Sequence, residues 1–301
     1  MISVGLMAFV LRNTSLDTMW QMLRRVQPWW LLAALGAHAV MMAVSVWRWR
    51  ILLGAQHVSV PVRTLSESFW VALFFNNFLP SNIGGDVVRI ADTSEVAGSK
   101  TLATTVVLVD RMLGLFALLT VGAIGAAGAR AFGVDIPGAG WLELAALGAL
   151  VVCIPLFVAP GLLDALLSPL RALGHPWVID RLAMLQDALG RFRLRPSSLI
   201  GALVGAVVVQ LVIVVFYTLT ARSLSIPLPV VMAGVLVPVA LAAQMAPLSI
   251  NGFGLREAVF SFFFVRFGLG VEAGVAVSLL GTGLVMLFSL GGGALFLLRR
   301  H

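Results

Sequence analysis

The sequence predicts an all-α, polytopic membrane bundle with two inverted structural repeats, each containing a broken or re-entrant helix. Three observations predict it. The first is composition: 60% of the 301 residues are hydrophobic and 11% are charged, against about 45–50% and about 25% in soluble domains. So few charges cannot cover so much apolar surface in water, and the mean hydropathy of +1.04 agrees. The second is a series of apolar runs of membrane-spanning length, separated by short loops that carry arginine. The third is a Pro–Gly–Arg motif that occurs twice. Composition excludes a soluble enzyme, a disordered chain and a nucleic-acid-binding domain. It also excludes a single-span anchored protein, since no long polar segment remains to fold outside the lipid.

The elements follow in order. Met1–Leu11 is apolar, but no basic residue precedes it and no small-residue cleavage site follows, so it is not a clean signal peptide. Eleven helical residues reach only about 16 Å of a bilayer core of about 30 Å, so this segment is a short first helix, a partial span or a truncated start. Runs at 29–46, 101–128, 140–159, 198–220 and 271–298 have spanning length. Two further runs behave differently. The run 65–80 ends in Asn76, Asn77 and Pro80, and the run 229–248 carries Pro238, Gln244 and Pro247. Each leads into a glycine-rich polar turn and then an arginine, the mark of a discontinuous or re-entrant helix.

Orientation follows from the arginines. Arg171, Arg181, Arg191, Arg193 and Arg195 lie in the longest polar stretch, 160–196, and the chain ends Arg299-Arg300-His301. Both are expected in the cytoplasm, as is the loop with Arg48, Arg50 and Arg63. The spans then close with the loop 129–139 and residue 226 outside and the C-terminus inside. Arg24 and Arg25 fall on the outer side and break the rule. The formal charge of +7 thus reads as loop arginines at a membrane, not as a nucleic-acid surface. Nineteen of the 20 basic residues are arginine, Lys100 being the exception. Coding bias gives such a pattern, and so does phosphate binding.

The single cysteine, Cys153, excludes an internal disulfide and a cysteine metal site. His38, His57, His175 and His301 have no metal-ligand spacing, and no nucleophile elbow or P-loop occurs. No metal and no cofactor are expected.

Displacing the chain by 167 residues lays Pro80, Ile83, Gly85 and Arg89 over Pro247, Ile250, Gly252 and Arg256, and Gly114 and Gly125 over Gly281 and Gly292. The whole chain, 1–301, is read as one transmembrane domain. Repeat 1 covers about 29–128, repeat 2 about 198–298, and 129–197 connects them. The positive-inside scheme gives the two units opposite orientations, the plan of many secondary transporters. Chance matching in a chain rich in Gly and Pro is the alternative.

At the first break, Asn77, Pro80, Gly84, Gly85, Asp86 and Arg89 form a turn and a new helix start near Asp86. Free N–H groups there favour an anion, and Asp86 can pair with Arg89 three residues on. An ordinary interfacial turn has the same letters. At the second break stand Pro247, Asn251, Gly252, Gly254, Arg256 and Glu257. Here the acid directly follows the arginine, a poorer geometry for pairing, which leaves Arg256 freer to meet a ligand. Asp110-Arg111 lies inside the 101–128 span, where an acid must face protein or a wet cavity. A buried ion pair with Arg89 or Arg256 and a substrate role both fit. Trp47-Arg48-Trp49-Arg50 reads as an interfacial anchor. Glu67 and Glu272 read as helix-end charges. The segment 161–195, with Leu162, Leu163, Leu166 and Leu167 at helical spacing, reads as an amphipathic interfacial helix touching anionic lipid.

Arg48-Trp49, the run from Asn76 to Arg89, Asp110-Arg111 with Gly114, and Pro247 with Asn251 to Glu257 together resemble the lysylphosphatidylglycerol synthase transmembrane region, a flippase-like family. The resemblance covers about 29–298. It implies a multi-pass bacterial inner-membrane protein that moves a lipid between leaflets. Relatives are linked to aminoacylated phosphatidylglycerol, isoprenoid-linked sugars and hopanoids. The chain stops at His301, just after its last span, so the soluble synthase domain and its activity are not carried over. The short N-terminus departs from the complete first helix usual in the family.

The expected function is a lipid transporter rather than an enzyme, moving an anionic phospholipid or a polyprenyl-linked or hopanoid-type lipid. Its partners are membrane lipids with anionic or polyprenyl-phosphate headgroups and no nucleic acid, with a homo-oligomer or a lipid-synthesis partner protein as further candidates. Gly84, Gly85 and Arg89 form a headgroup site from the cytoplasmic side, and Gly252, Gly254 and Arg256 one from the outer side. Asp86, Asp110 and Glu257 balance the arginines or bind a proton. One alternative is a membrane enzyme acting on a lipid phosphate, although no carboxylate cluster or nucleophile–base pair stands out. Another is a non-transporting partner of a lipid or glycan synthesis complex.

Overall fold

In lipid every backbone N–H and C=O must be satisfied within its own segment, so long apolar runs become helices. The computed structural model describes residues 14–79, 84–131, 133–134, 139–158, 176–245 and 252–299, and among these the regular structure is entirely helical. In chain order the helices are α1 (Leu16–Arg24), α2 (Pro28–Ala55), α3 (Val62–Phe78), α4 (Gly84–Ala97), α5 (Lys100–Ala131) and α6 (Ala139–Val158). Then follow α7 (Pro176–Leu194), α8 (Pro196–Ser223), α9 (Val230–Met245), α10 (Leu255–Arg266) and α11 (Val271–Leu298).

Among the described residues four helices, α2, α5, α8 and α11, are long and apolar enough to cross a bilayer. They contain four of the five expected spans and overrun most of their ends, because polar residues at the ends extend a helix whose apolar part sets the pattern. The fifth, 140–159, is the 20-residue α6. The run 65–80 becomes α3 and 229–248 becomes α9, at 17 and 16 residues. At 1.5 Å per residue each covers about 25 Å, short of a full crossing. Met1–Leu11, Pro80, Pro247 and Asn251 lie outside the described residues, as do the four leucines of the 161–195 segment.

Packing pairs the elements in a regular way. Helix α2 lies along α8, α5 along α9 and α11 along α3. The short helices α4 and α10 pack on α5 and α11 respectively, and on the helices that precede them, α3 and α9. Small residues let these backbones meet, as close packing between membrane helices requires. A Cβ on Gly125 of α5 would lie 2.5 Å from the carbonyl carbon of Gly234 in α9. A Cβ on Gly292 of α11 would lie 2.1 Å from the Trp70 carbonyl oxygen in α3. Pro238 inside α9 has no N–H to donate to the Gly234 carbonyl one turn back, at the place where Gly125 approaches.

These contacts give a test. Gly292→Ala is expected to cost about 1–3 kcal/mol, because one backbone must move off another. Gly283→Ala, on the same helix with nothing within 4 Å of the new Cβ, gains up to about 1 kcal/mol of helix propensity. Thermal unfolding in detergent separates them; equal midpoints would remove the close-packing argument.

Helix α7 departs from the interfacial reading. Its Ala188 is buried, and its Leu189 and Phe192 lie in a core cluster with Trp49, Leu52 and Leu53 of α2 and residues of α5 and α8. Gln56 donates to the Ala188 carbonyl at 2.8 Å, Arg191 donates to Gln56 Oε1 at 2.8 Å, and Arg195 donates to the Gly54 carbonyl at 3.1 Å. Four of the loop arginines that set the expected orientation, Arg181, Arg191, Arg193 and Arg195, fall in or beside it, and Arg191 and Arg195 tie it to the end of α2.

Candidate functional site

Each short helix pair is joined by an amide packed on a glycine. At the first break the Gly85 N–H donates to Asn76 Oδ1 at 2.8 Å, and a Cβ on Gly85 would lie 2.4 Å from the Ala72 carbonyl oxygen. At the second, a Cβ on Gly252 would lie 2.5 Å from Gln244 Cγ, and Gly252 has φ +77°. Only glycine combines that positive φ with that approach. The break glycines are therefore required by geometry, whatever else they do.

The charges at the first break form one chain of contacts. Asp110, eleventh residue of α5, accepts from Arg48 Nε at 2.6 Å and from both terminal nitrogens of Arg89 at 3.1 Å. Asp86 lies 3.9 Å from Arg89 and binds Arg111 directly. The Arg89 guanidinium lies 4.4 Å over the Trp49 ring and 5.4 Å from Phe69. Three arginines meet two aspartates, and Arg48, Arg89, Asp86 and Asp110 are all buried. The expected Arg89–Asp110 pair is present; the Asp86–Arg89 pair is long, because Arg89 reaches across to α5 instead. Arg48 and Trp49 are not an interfacial anchor: they are 8% and 0% exposed and form part of this cluster. A Trp–Arg pair has the same letters in either setting. What turns it inward is the acid on a helix 62 residues away.

The second break is arranged differently. Glu257 is fully buried and accepts from the Gly254 N–H at 2.7 Å, from Arg256 at 3.0 Å and from Ser278 Oγ at 2.9 Å. Arg256 also donates from Nε to Ser278 Oγ at 3.1 Å. So Arg256 is not left free by its neighbour. Gly254, at φ 88°, turns the chain at the head of α10, and its N–H holds the Glu257 carboxylate over the first turn. The Glu257 carboxylate thereby joins α10 to α11.

The last turns of α3 and α9 and the first turn of α10 line one cavity of about 150 Å³. Its polar walls include Asn77 from the end of α3, Gln244 from the end of α9, Arg256, Tyr217, Thr282 and His38. The other walls are aliphatic and aromatic, from Met41, Val212, Ile213 and others. Of the expected site residues, Asn77 and Arg256 reach this cavity. Gly84, Gly85, Asp86, Arg89, Asp110 and Arg111 gather at the first break, and Gly252, Gly254 and Glu257 at the second. Sequence reasoning missed Arg48, Asn76, Tyr217, Ser278 and His38 as members of this region. The available signal was the polar residue in the middle of an apolar run, which His38, Tyr217 and Ser278 all are. At the surface, Glu67 pairs with Arg63 at 2.9 Å and with Arg299 at 3.4 Å, so it links α3 to the end of α11 rather than capping a helix. Glu272 stands in the first turn of α11, as expected of a helix-end charge.

Four helices fit to span, with buried ion clusters beside two broken helix pairs, define a multi-pass helical membrane protein with polar groups held at membrane depth. The family model described as lysylphosphatidylglycerol synthase TM region matches residues 1–293. The chain belongs to that family. Searches of curated proteins and of solved structures find no match.

Proposed function

We propose that this protein moves a phosphate-bearing lipid between the leaflets of a bacterial inner membrane, with its C-terminus in the cytoplasm. The observation that carries the reading is a largely apolar cavity with a few polar groups, lined by the ends of α3 and α9 and by Arg256, among helices long and apolar enough to span. Ionisable groups at membrane depth are expensive and usually serve a pathway. Three arginines and two aspartates meet in the first cluster, a setting that suits an anionic headgroup. We read α2–α5 and α8–α11 as two copies of one unit in opposite orientation, with α3–α4 and α9–α10 as re-entrant pairs. Matching helix partners and the corresponding close contacts of Gly125 and Gly292 support this. The substrate class is an anionic phospholipid or a polyprenyl-linked or hopanoid-type lipid. Gly84, Gly85 and Arg89 meet the headgroup from one side, and Gly252, Gly254 and Arg256 from the other.

The test is transbilayer movement of a fluorescent phospholipid in proteoliposomes, read by quenching of the outer leaflet. Arg89→Ala and Arg256→Ala are each expected to slow it at least about tenfold, the loss of one charge-assisted hydrogen bond. Unchanged rates in both variants would remove these residues from the path.

A further inference from the structure

Helix α2 carries His38 ten residues after Pro28, about 15 Å along a 28-residue helix. That depth is close to the middle of a bilayer core of about 30 Å. The ring lies edge-on to Phe288 at 4.9 Å and tilted against Phe216 at 5.7 Å. The residue is 6% exposed and its Nε2 atom is buried with no hydrogen-bond partner. An unpaired buried polar atom is destabilising, and its presence needs a reason. The reason lies in where the ring stands: His38 lines the central cavity with Asn77, Gln244, Tyr217, Thr282 and Arg256, although Nε2 itself is shielded from that space.

The electrostatics of the cavity define what it takes. From α10 comes Arg256, whose charge Glu257 already balances. From α8 comes Tyr217, and α3, α9 and α11 bring Asn77, Gln244 and Thr282, none of them charged. Helix α5 meets α2 at the Arg48–Asp110 pair, ten residues further along. The walls therefore carry no surplus charge, and an anion arriving alone at this depth is strongly disfavoured. A histidine that takes up one proton as the anion arrives removes that cost, and imidazole is the side chain suited to do so near neutral pH. Polar donors and aliphatic groups together in the lining match a phosphate joined to an apolar tail. The volume suits a tetrahedral phosphate, the bulk of a few waters at about 30 Å³ each.

We propose that the central cavity is a midway binding site for a phosphate headgroup, with the His38 imidazole as the hydrogen-bond partner that carries the neutralising proton. The proton comes from water as the headgroup enters and returns to water as it leaves, with no net change. This rests on the lipid-movement reading for its biological sense, but the site is testable apart from it.

The probe is dioleoylphosphatidylglycerol, added to the purified full-length protein in detergent and read by native mass spectrometry. Dioleoylglycerol, with the same tails and no phosphate, is the comparison. The protein is expected to retain the phospholipid at least about tenfold better, more so as the pH is lowered. His38→Leu should lose that preference while unfolding at the same or a higher temperature, since it removes an unpaired polar atom. A merely structural histidine would not give that combination. His38→Gln should retain the phospholipid with a flat pH profile. Excess inorganic phosphate that displaces the lipid shows that the phosphate group suffices; retention in its presence shows that the tails add to it. Equal retention of both lipids by the unaltered protein overturns the proposal. So does full retention by His38→Leu, or the same pH profile in His38→Gln. Fluorescent-lipid movement separates the two readings. Histidine-dependent retention with no movement removes the transport reading alone, whereas movement that persists with no histidine-dependent retention removes this one alone.

Discussion

Asp110→Asn is expected to be among the most damaging single substitutions in this chain. It leaves Arg48 and Arg89, both buried, without the carboxylate that holds them at 2.6 and 3.1 Å. Removing one partner of a buried ion cluster costs about 3–5 kcal/mol, because the remaining charges stay out of water unpaired. Thermal unfolding in detergent should show a clear drop. The partner variant Arg48→Met, combined with Asp110→Asn, should lose less than the two single losses added together, since the two residues are in contact. An unaltered midpoint for Asp110→Asn would show that the cluster contributes nothing to stability. The Arg89–Trp49 contact strengthens the expectation: the guanidinium lies 4.4 Å over the ring, a cation–π contact worth about 2 kcal/mol when desolvated, and it depends on Asp110 to hold the arginine in place.

Glu257→Gln is the second large effect. The carboxylate balances Arg256 and accepts from the Gly254 N–H and Ser278. Losing its charge alone should cost about 3–5 kcal/mol for the same reason. The double variant Arg256→Met with Glu257→Gln behaves differently. It removes both charges and keeps an oxygen for the Gly254 N–H, so stability should return close to that of the unaltered protein. Lipid movement should not return, because the cavity has lost its guanidinium. Measuring the unfolding midpoint and the transport rate together separates the two roles of Arg256. Recovery of both would make the pair purely structural.

Much of this architecture was legible in the chain. Four apolar runs became spanning helices, since length and hydropathy decide membrane crossing almost alone. The two runs ending in amides and prolines became short helices, because a proline or glycine break interrupts backbone hydrogen bonding wherever it occurs. The family was legible too, through motifs whose glycines are needed for local geometry. What failed was the assignment of partners. Arg48 was placed at the interface by its neighbours Trp47 and Arg50, yet it faces Asp110. Arg256 was judged free because adjacent residues pair poorly on a regular helix, yet the Glu257 carboxylate, which accepts from the Gly254 N–H, also accepts from it. The docking of α7 was equally invisible, since Phe192 has the same apolar character whether it faces lipid or protein.

The sequence by itself determined which segments enter the membrane, where two of them break, and which few charges go in with them. These are local properties, set by hydropathy, by proline and by glycine. Only the tertiary structure decided which charge meets which, that the ends of α3 and α9 line one cavity, and that His38 lines it too, with its Nε2 buried and unpaired. Those facts depend on how α2, α8 and their neighbours turn about their own axes. In a chain apolar on nearly every side, rotation is set by small-residue contacts and buried ion pairs between distant segments, and no stretch of sequence carries that information alone.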